Sequence, residues 1–386
     1  MKKNPCVSLH ELGQSVWLDT ISDGLIQSGE LQSLIGAGSV YGVTSNPTIF
    51  KGAIGGDRYT YPTEIVRLAS AGKSPDQIYD ELAARDIVRT ADLLAETYRR
   101  GTGRDGFVSL EVPPRLAADT QATIPEARRL WRKVGRKNLL VKIPATPAGI
   151  PAVEALIADG VSVNVTLIFS AIQYATVADA YRRGIERRIE AGLTLEGIHS
   201  VASVFVSRVD TSVDKELEAR AEGAGAGGAV SGAERDRFLA LRGKAAIANA
   251  LLIWEEYRSK FFGPAFDSLR RAGASPQWLL WASTGTKNRS YSDVKYVEEL
   301  AGPDSVNTMP RETLDALLDH GRIEGNRLDP EIEPMRAVRK DLAAAGISLE
   351  THCQRLLEDG VRQFATSFDE MMAVIRERSA ALMQRR

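Results

Sequence analysis

The chain has 386 residues, 44% of them hydrophobic, and 49 Lys+Arg against 50 Asp+Glu give a formal net charge of -1. That length and apolar content support a large core, and the balanced charge supplies no global field to draw in nucleic acid or an anionic membrane surface. No run of about 18 apolar residues is present, and the start, "MKKNPCVSLHELG", is basic without the apolar stretch of a secretory signal, so a cytoplasmic protein with no membrane partner is expected.

Segments with strand character recur along the chain. They are "SVWLDT" (15–20), "SVYGVTSN" (39–46), "GFVSLEV" (106–112), "NLLVKIP" (138–144), "VSVNVTLIFS" (161–170), "HSVASVFVSRV" (199–209), "WLLWAST" (278–284) and "DSVNTMP" (304–310). Most are rich in β-branched residues and apolar on both faces, as parallel strands covered by helices are. Helical spacing fills the intervals at 74–100, 119–135, 147–160 and 170–192, with Ser74 placed as an N-cap and Pro75 in the first turn. Eight alternations of strand and helix predict an α/β fold, a (β/α)8 TIM barrel, over one domain of residues 1–386. An open doubly wound sheet would carry a glycine-rich phosphate fingerprint after its first strand, and "LDTISDG" is not one. The Gly/Ala-rich "AEGAGAGGAVSGAE" (221–234) is expected to be a mobile loop between strands six and seven. Residues 311–386 predict additional C-terminal helices packed on the barrel, either closing the active-site mouth or forming a partner interface in an oligomer.

Two cysteines, Cys6 and Cys353, and four histidines, His10, His199, His320 and His352, share no ligand or redox spacing, so no metal is expected. His352 beside Cys353 reads as a helix pair rather than a catalytic dyad.

In such a barrel, polar residues at the C-terminal ends of the strands converge on one mouth. In chain order these are Asp19; Thr44, Ser45 and Asn46; Ser109 and Glu111; Lys142; Asn164 and Thr166; Ser203 and Arg208; and Ser283, Thr284, Thr286 and Lys287. Singly, each has a plain structural role: Asp19 as a helix cap, Asn46 before Pro47 as a turn, Glu111 as a partner for Lys142. Seven successive strands each delivering such a residue exceed what a structural barrel requires. A lysine among carboxylates, hydroxyls and amides, with no metal or histidine base, suits Schiff-base chemistry, in which a neutral amine condenses with a ketose or aldehyde and the imine serves as an electron sink for C–C cleavage. Burial disfavours an ammonium and so assists such a nucleophile. Glu111, through a water, and Thr166 are typed to aid carbinolamine dehydration, and Asp19 remains as the base for a substrate hydroxyl. Asn46 and Asn164 suit sugar hydroxyls, and Arg208, Ser203 and Lys287 suit a phosphate.

The stretches "WLDTISDGLI", "YGVTSNPTIF", "VSLEV", "LLVKIPAT", "VNVTLIFS" and "WASTGTKN" occur in the order that transaldolases carry them, from residue 15 to about 290, and "TSNPTIF", "VKIPAT" and "NVTLIFS" are the most specific. The chain resembles the larger bacterial branch of that family, a form also found fused to sugar-phosphate isomerases. The resemblance implies that Lys142 is the Schiff-base lysine, Asp19 the acid/base on the first strand, Glu111 the acid/base that orients a catalytic water, and Thr166 the hydroxyl beside it. It further implies that Asn46 and Asn164 bind the dihydroxyacetone unit with Thr44, Ser109 and Ser203 close by, and that Arg208 binds phosphate. Lys287 falls where many relatives have an arginine. Pro113 in "EVPPRLA" replaces a small polar residue and stiffens the loop after Glu111.

The implied reaction moves a dihydroxyacetone unit from sedoheptulose 7-phosphate to glyceraldehyde 3-phosphate, giving erythrose 4-phosphate and fructose 6-phosphate, a step of the pentose phosphate pathway that uses sugar phosphates and no cofactor. A fructose-6-phosphate aldolase-like lyase is the alternative enzyme. That branch resembles shorter chains with glutamine where Glu111 stands and tyrosine where Phe205 stands. A non-catalytic sugar-phosphate sensor on the same scaffold is the alternative from another class.

Overall fold

The computed structural model describes residues 3–57, 60–101, 103–223 and 230–383. Eight parallel strands, β1 (Gln14–Leu18), β2 (Gly42–Val43), β3 (Val108–Glu111), β4 (Leu139–Pro144), β5 (Val163–Ile168), β6 (Ser200–Phe205), β7 (Trp278–Ala282) and β8 (Ser305–Met309), close in sequence order into a barrel, with β8 beside β1. This is the predicted (β/α)8 arrangement, with all eight expected strands present. β2 is shorter than its apolar run, although Tyr41, Val43 and Thr44 still donate to Val16, Phe107 and Leu18 and carry the ladder past its two assigned residues.

The intervening helices begin and end where the sequence supplies caps. Pro75–Leu93 starts from a capping box of Ser74 and Gln77, Thr120–Val134 from Asp119, and Ala171–Glu190 from Ser170. Gly135 and Gly160 end two of them in the left-handed conformation, where a side chain is disfavoured. The helix expected over 74–100 is interrupted at Leu94, but Leu94 donates to Thr90 and accepts from Tyr98, so the hydrogen-bonded path continues into Ala95–Arg100. Pro5–Leu12, capped by Asn4, is a helix that the sequence reading left unassigned.

Two differences bear on the site. The sixth strand ends at Phe205, and Arg208, expected on it, instead lies in the first turn of the helix Ser207–Ala221. Val206 and Ser207 donate to Ala282 and Ser283, which binds the chain to β7 just before it turns into the helix. β5 carries an irregularity between Val165 and Ile168, and Leu167 there has φ 60, a rare conformation for a branched aliphatic residue. Of the loop expected at 221–234, residues 224–229 lie outside the described residues, while Ala221 ends the helix Ser207–Ala221 and Gly232 begins the helix Gly232–Ala240.

After β8 come Arg311–His320, Ile332–Ala344 and a 35-residue C-terminal helix, Leu349–Met383. This last helix packs along Pro47–Gly56, Thr60–Ser70, Pro75–Leu93 and Ser207–Ala221. Thr48–Ser367 (3.0 Å), Ser212–His352 (2.7 Å) and the ion pair Lys51–Glu370 tie it down at the barrel's mouth. No helix of the described residues is long and apolar enough to cross a membrane.

Candidate active site

Register across the sheet places the polar residues side by side. Glu111 on β3 is level with Lys142 on β4, which is level with Asn164 on β5, while Thr166 is level with Pro144 one step higher. Ser109 and Glu111, and likewise Asn164 and Thr166, are two residues apart and share a strand face.

Lys142 is 4% exposed and Glu111 8%. Lys142 Nζ lies 3.5 Å from Glu111 Oε2 and donates to the carbonyl of Ser45 at 3.0 Å. An ammonium in such surroundings needs these partners, since an unpaired buried charge costs several kcal/mol, of order 3–5. Glu111 Oε2 and Thr166 Oγ1 are buried without a hydrogen-bond partner among the described residues. Burial pushes the Glu111 carboxyl up to about 7, against the pull of Lys142. Asp19 follows β1 directly and is half-buried on the wall of the cavity described below. Desolvation raises its carboxyl above the usual range, opposed by Lys142, by the hydroxyl of Thr44 donating at 2.6 Å, and by the more distant Lys287 and Arg208.

Around this centre the amides and hydroxyls are held in place. Asn164 donates to Ser109 Oγ at 3.0 Å and accepts from Ser203 Oγ at 2.7 Å, so one amide N–H is left over. Asn46 caps the helix Pro47–Gly56, its Oδ1 accepting from the amide of Ile49 at 3.0 Å, which turns its NH2 group away from that helix. Its cap role and its place on the cavity coexist.

A cavity of ≈ 310 Å³ opens above these residues, lined by Asp19, Thr44, Asn46, Lys142, Thr166, Ser203, Arg208 and Lys287 of the predicted set. Glu111, Ser109 and Asn164 are not in its lining. Glu111 stands behind Lys142, and the other two brace Ser203 from below. Arg208, over the ring of Phe205 at 5.4 Å, and the exposed Lys287 have no ion pair with any described residue. Both line the cavity without an ion-pair partner among the described residues, an arrangement chemically suited to an anion. No three His, Cys, Asp or Glu side chains among the described residues group as metal ligands.

The sequence reading missed three contributors. Thr308 on β8 bonds the hydroxyl of Thr44 at 2.7 Å and lines the cavity, and a polar residue near the C-terminal end of the eighth strand was the available signal. Gln363 and Phe364 of the C-terminal helix also line it, brought there by tertiary packing with no local motif. Gly360 on the same helix packs against Leu167, where a β-carbon would stand 2.9 Å from Cδ2, close to Arg208.

Residues 16–375 match the family described as Transaldolase/Fructose-6-phosphate aldolase. Proteins named Transaldolase are similar along nearly their whole length. One from Thiobacillus denitrificans is 45% identical over 94% of this chain and 97% of its own, and one from Mycolicibacterium smegmatis 46% identical over 96% and 97%. Another, from Saccharopolyspora erythraea, is 46% identical over 96% of both chains. With a barrel whose fourth strand presents a buried lysine between carboxylates, and a match that spans it from end to end, the chain belongs to the transaldolase/fructose-6-phosphate aldolase family.

Proposed function

We propose that the protein is a transaldolase that carries a dihydroxyacetone unit on Lys142 from one sugar phosphate to another. The observation that carries this reading is the buried Lys142 amine, which faces the same cavity as Asp19 and sits 3.5 Å from Glu111. Lys142 Nζ adds to C2 of a ketose phosphate, and the carbinolamine loses its hydroxyl as water with a proton from Glu111. The positively charged imine then accepts the electron pair of the C3–C4 bond as Asp19 takes the C4 hydroxyl proton. An aldose phosphate departs and an enamine stays on the enzyme. The enamine carbon attacks the aldehyde of the incoming aldose phosphate, Asp19 returns the proton, and addition of water to the imine frees the new ketose phosphate.

Glu111 Oε2, which has only the 3.5 Å ion pair to Lys142, and Thr166 Oγ1, neither of them hydrogen-bonded among the described residues, are the groups that would hold that water. Asn46, Asn164, Ser203, Thr44 and Ser109 hold or brace the three-carbon unit, and Arg208 and Lys287 take the phosphate. Residues 1–386 act as one barrel domain, with 311–386 as an extension that finishes the wall of the mouth. Glu111 favours transfer over release of free dihydroxyacetone, because an ionisable group beside the lysine can move a proton in both directions and an amide cannot.

The test is incubation with fructose 6-phosphate and borohydride, followed by peptide mass spectrometry. A three-carbon adduct on Lys142, absent in Lys142→Ala, is expected, and no adduct would refute Schiff-base chemistry. Addition of erythrose 4-phosphate is expected to yield sedoheptulose 7-phosphate. Free dihydroxyacetone as the main product would make the protein a lyase.

A further inference from the structure

The helix Ser207–Ala221 carries Arg208 in its first turn, and the connection from β7 to β8 carries Lys287. Two buried aspartates on that helix, which the reaction does not use, join the two segments. Asp214 Oδ2 accepts from the hydroxyl of Tyr291 at 2.7 Å and its Oδ1 from the amide of Gly243 at 2.9 Å. Asp210 Oδ2 accepts from the hydroxyl of Tyr296 at 2.8 Å and its Oδ1 from the amide of Ala246 at 2.7 Å. Each carboxylate therefore grips one tyrosine of the Lys287 segment and one amide at the start of the helix Ala245–Phe262.

The joint is closely fitted. Gly243 has φ +68, and a β-carbon there would stand 2.8 Å from the ring of Tyr291. Tyr291 lies four residues beyond Lys287, and Asp214 six beyond Arg208. Asp210, Asp214, Lys287, Asn288, Tyr291 and Tyr296 border one small cavity of ≈ 200 Å³, which sets the joint directly behind the lysine. Neither rim cation has an ion-pair partner of its own to fix it, so the backbone that bears each one fixes their separation.

We propose that Asp214 and Tyr291, backed by Asp210 and Tyr296, are positioning residues that set the span between Arg208 and Lys287 and so the fit of the substrate phosphate. This rests on the reading of those two cations as the phosphate site. The consequence is selective. Loosening the joint weakens recognition of phosphate but leaves Lys142, Asp19 and Glu111, which stand on other strands, where they are.

The experiment compares Tyr291→Phe with the parent enzyme, using erythrose 4-phosphate and unphosphorylated glyceraldehyde as acceptors and fructose 6-phosphate as a saturating donor. Phenylalanine keeps the ring that Gly243 accommodates. KM for erythrose 4-phosphate is expected to rise about fivefold, the worth of one hydrogen bond, with kcat changed less than about twofold and KM for glyceraldehyde unchanged. Asp214→Asn, which keeps the side chain's size and one acceptor, is expected to act in the same direction. Equal losses on both acceptors, or no loss on either, would overturn the proposal. Arg208→Ala separates the two levels of the argument. If it abolishes discrimination between the acceptors while Tyr291→Phe does nothing, the positioning role alone is wrong. If Arg208→Ala leaves discrimination intact, the phosphate site itself is misplaced and the positioning role falls with it.

Discussion

Replacing Glu111 by glutamine removes the one transferable proton of the side chain and changes its volume hardly at all. Glu111 is 8% exposed, Oε2 has no hydrogen-bond partner, and burial lifts its carboxyl from 4.5 to about 7. A carboxyl lifted to about 7 keeps a substantial share of its acid form near neutral pH, whereas an ordinary glutamate keeps almost none. Glutamine keeps a hydrogen-bonding side chain but cannot pass the proton on, and general acid catalysis of this kind contributes about 10²–10⁴ in rate. Rapid-quench borohydride trapping with fructose 6-phosphate reads the formation of the Lys142 adduct directly. In the parent protein the adduct rate is expected to fall as pH rises through about 7, since the protonated carboxyl is the donor. In Glu111→Gln it is expected to drop at least about 100-fold and lose that alkaline limb. The ratio of free dihydroxyacetone to transferred unit is expected to rise. Adduct formation within about threefold of the parent, or an unchanged ratio, would refute the role given to Glu111.

Other consequences separate the remaining parts. Asp19→Asn leaves the amine and its neighbouring acid in place but removes the base for the C4 hydroxyl; borohydride should then trap the whole six-carbon sugar phosphate on Lys142, and a three-carbon adduct at the normal rate would clear Asp19 of that task. Away from the site, burial among Tyr98, Phe107 and Trp278 depresses His199 from 6.5 to about 4. The unfolded chain binds the proton first, so the native state loses stability as pH falls from 6.5 towards 4, by about 2 kcal/mol at pH 5. His199→Phe should therefore gain about 2 kcal/mol on the parent between pH 8 and pH 5 in urea melts, and parallel pH profiles would contradict the assignment.

Strand positions and inward polar residues could be read directly, because parallel strands are apolar runs and any polar residue inside one stands out. Lys142 in "NLLVKIP" and the pair Asn164 and Thr166 in "VNVTLI" are of that kind, and the register puts Lys142 between Glu111 and Asn164. Arg208 lay in a string of valines and serines that reads as strand throughout. The turn into helix at Ser207 depends on bonds to Ala282 and Ser283, 70 residues or more away in the chain, which no local pattern records. Gln363 and Phe364 escaped for a similar reason: an amphipathic helix declares that one face is buried, but not against what. Their place in the cavity gives that buried face one of its partners. The tyrosine–aspartate joint was invisible for the opposite reason, since isolated aspartates on a polar helix look solvated until a tertiary partner covers them.

The charges of the site are coupled from rim to floor. Lys287 and Arg208 act on Asp19 across the cavity, holding its raised carboxyl lower than burial alone would set it. If Arg208 and Lys287 form the proposed phosphate site, a phosphate dianion bound there withdraws their pull, and Asp19 is expected to become a stronger base when a phosphorylated sugar is in place. The sign is definite: the acid limb of kcat, which reports the occupied enzyme, should lie at higher pH than that of kcat/KM, which reports the free enzyme. In the acceptor half-reaction Asp19 donates the proton, so its pKa sets the alkaline limb there: with erythrose 4-phosphate that limb should lie at higher pH for the occupied enzyme than for the free one, and with an unphosphorylated acceptor, which leaves the rim cations their charge, the two should coincide. Pre-steady-state measurement of that half-reaction from the trapped enamine, over pH, with erythrose 4-phosphate and with glyceraldehyde, makes the comparison. Limbs that coincide for both acceptors would mean that the phosphate anchors the sugar without tuning the base.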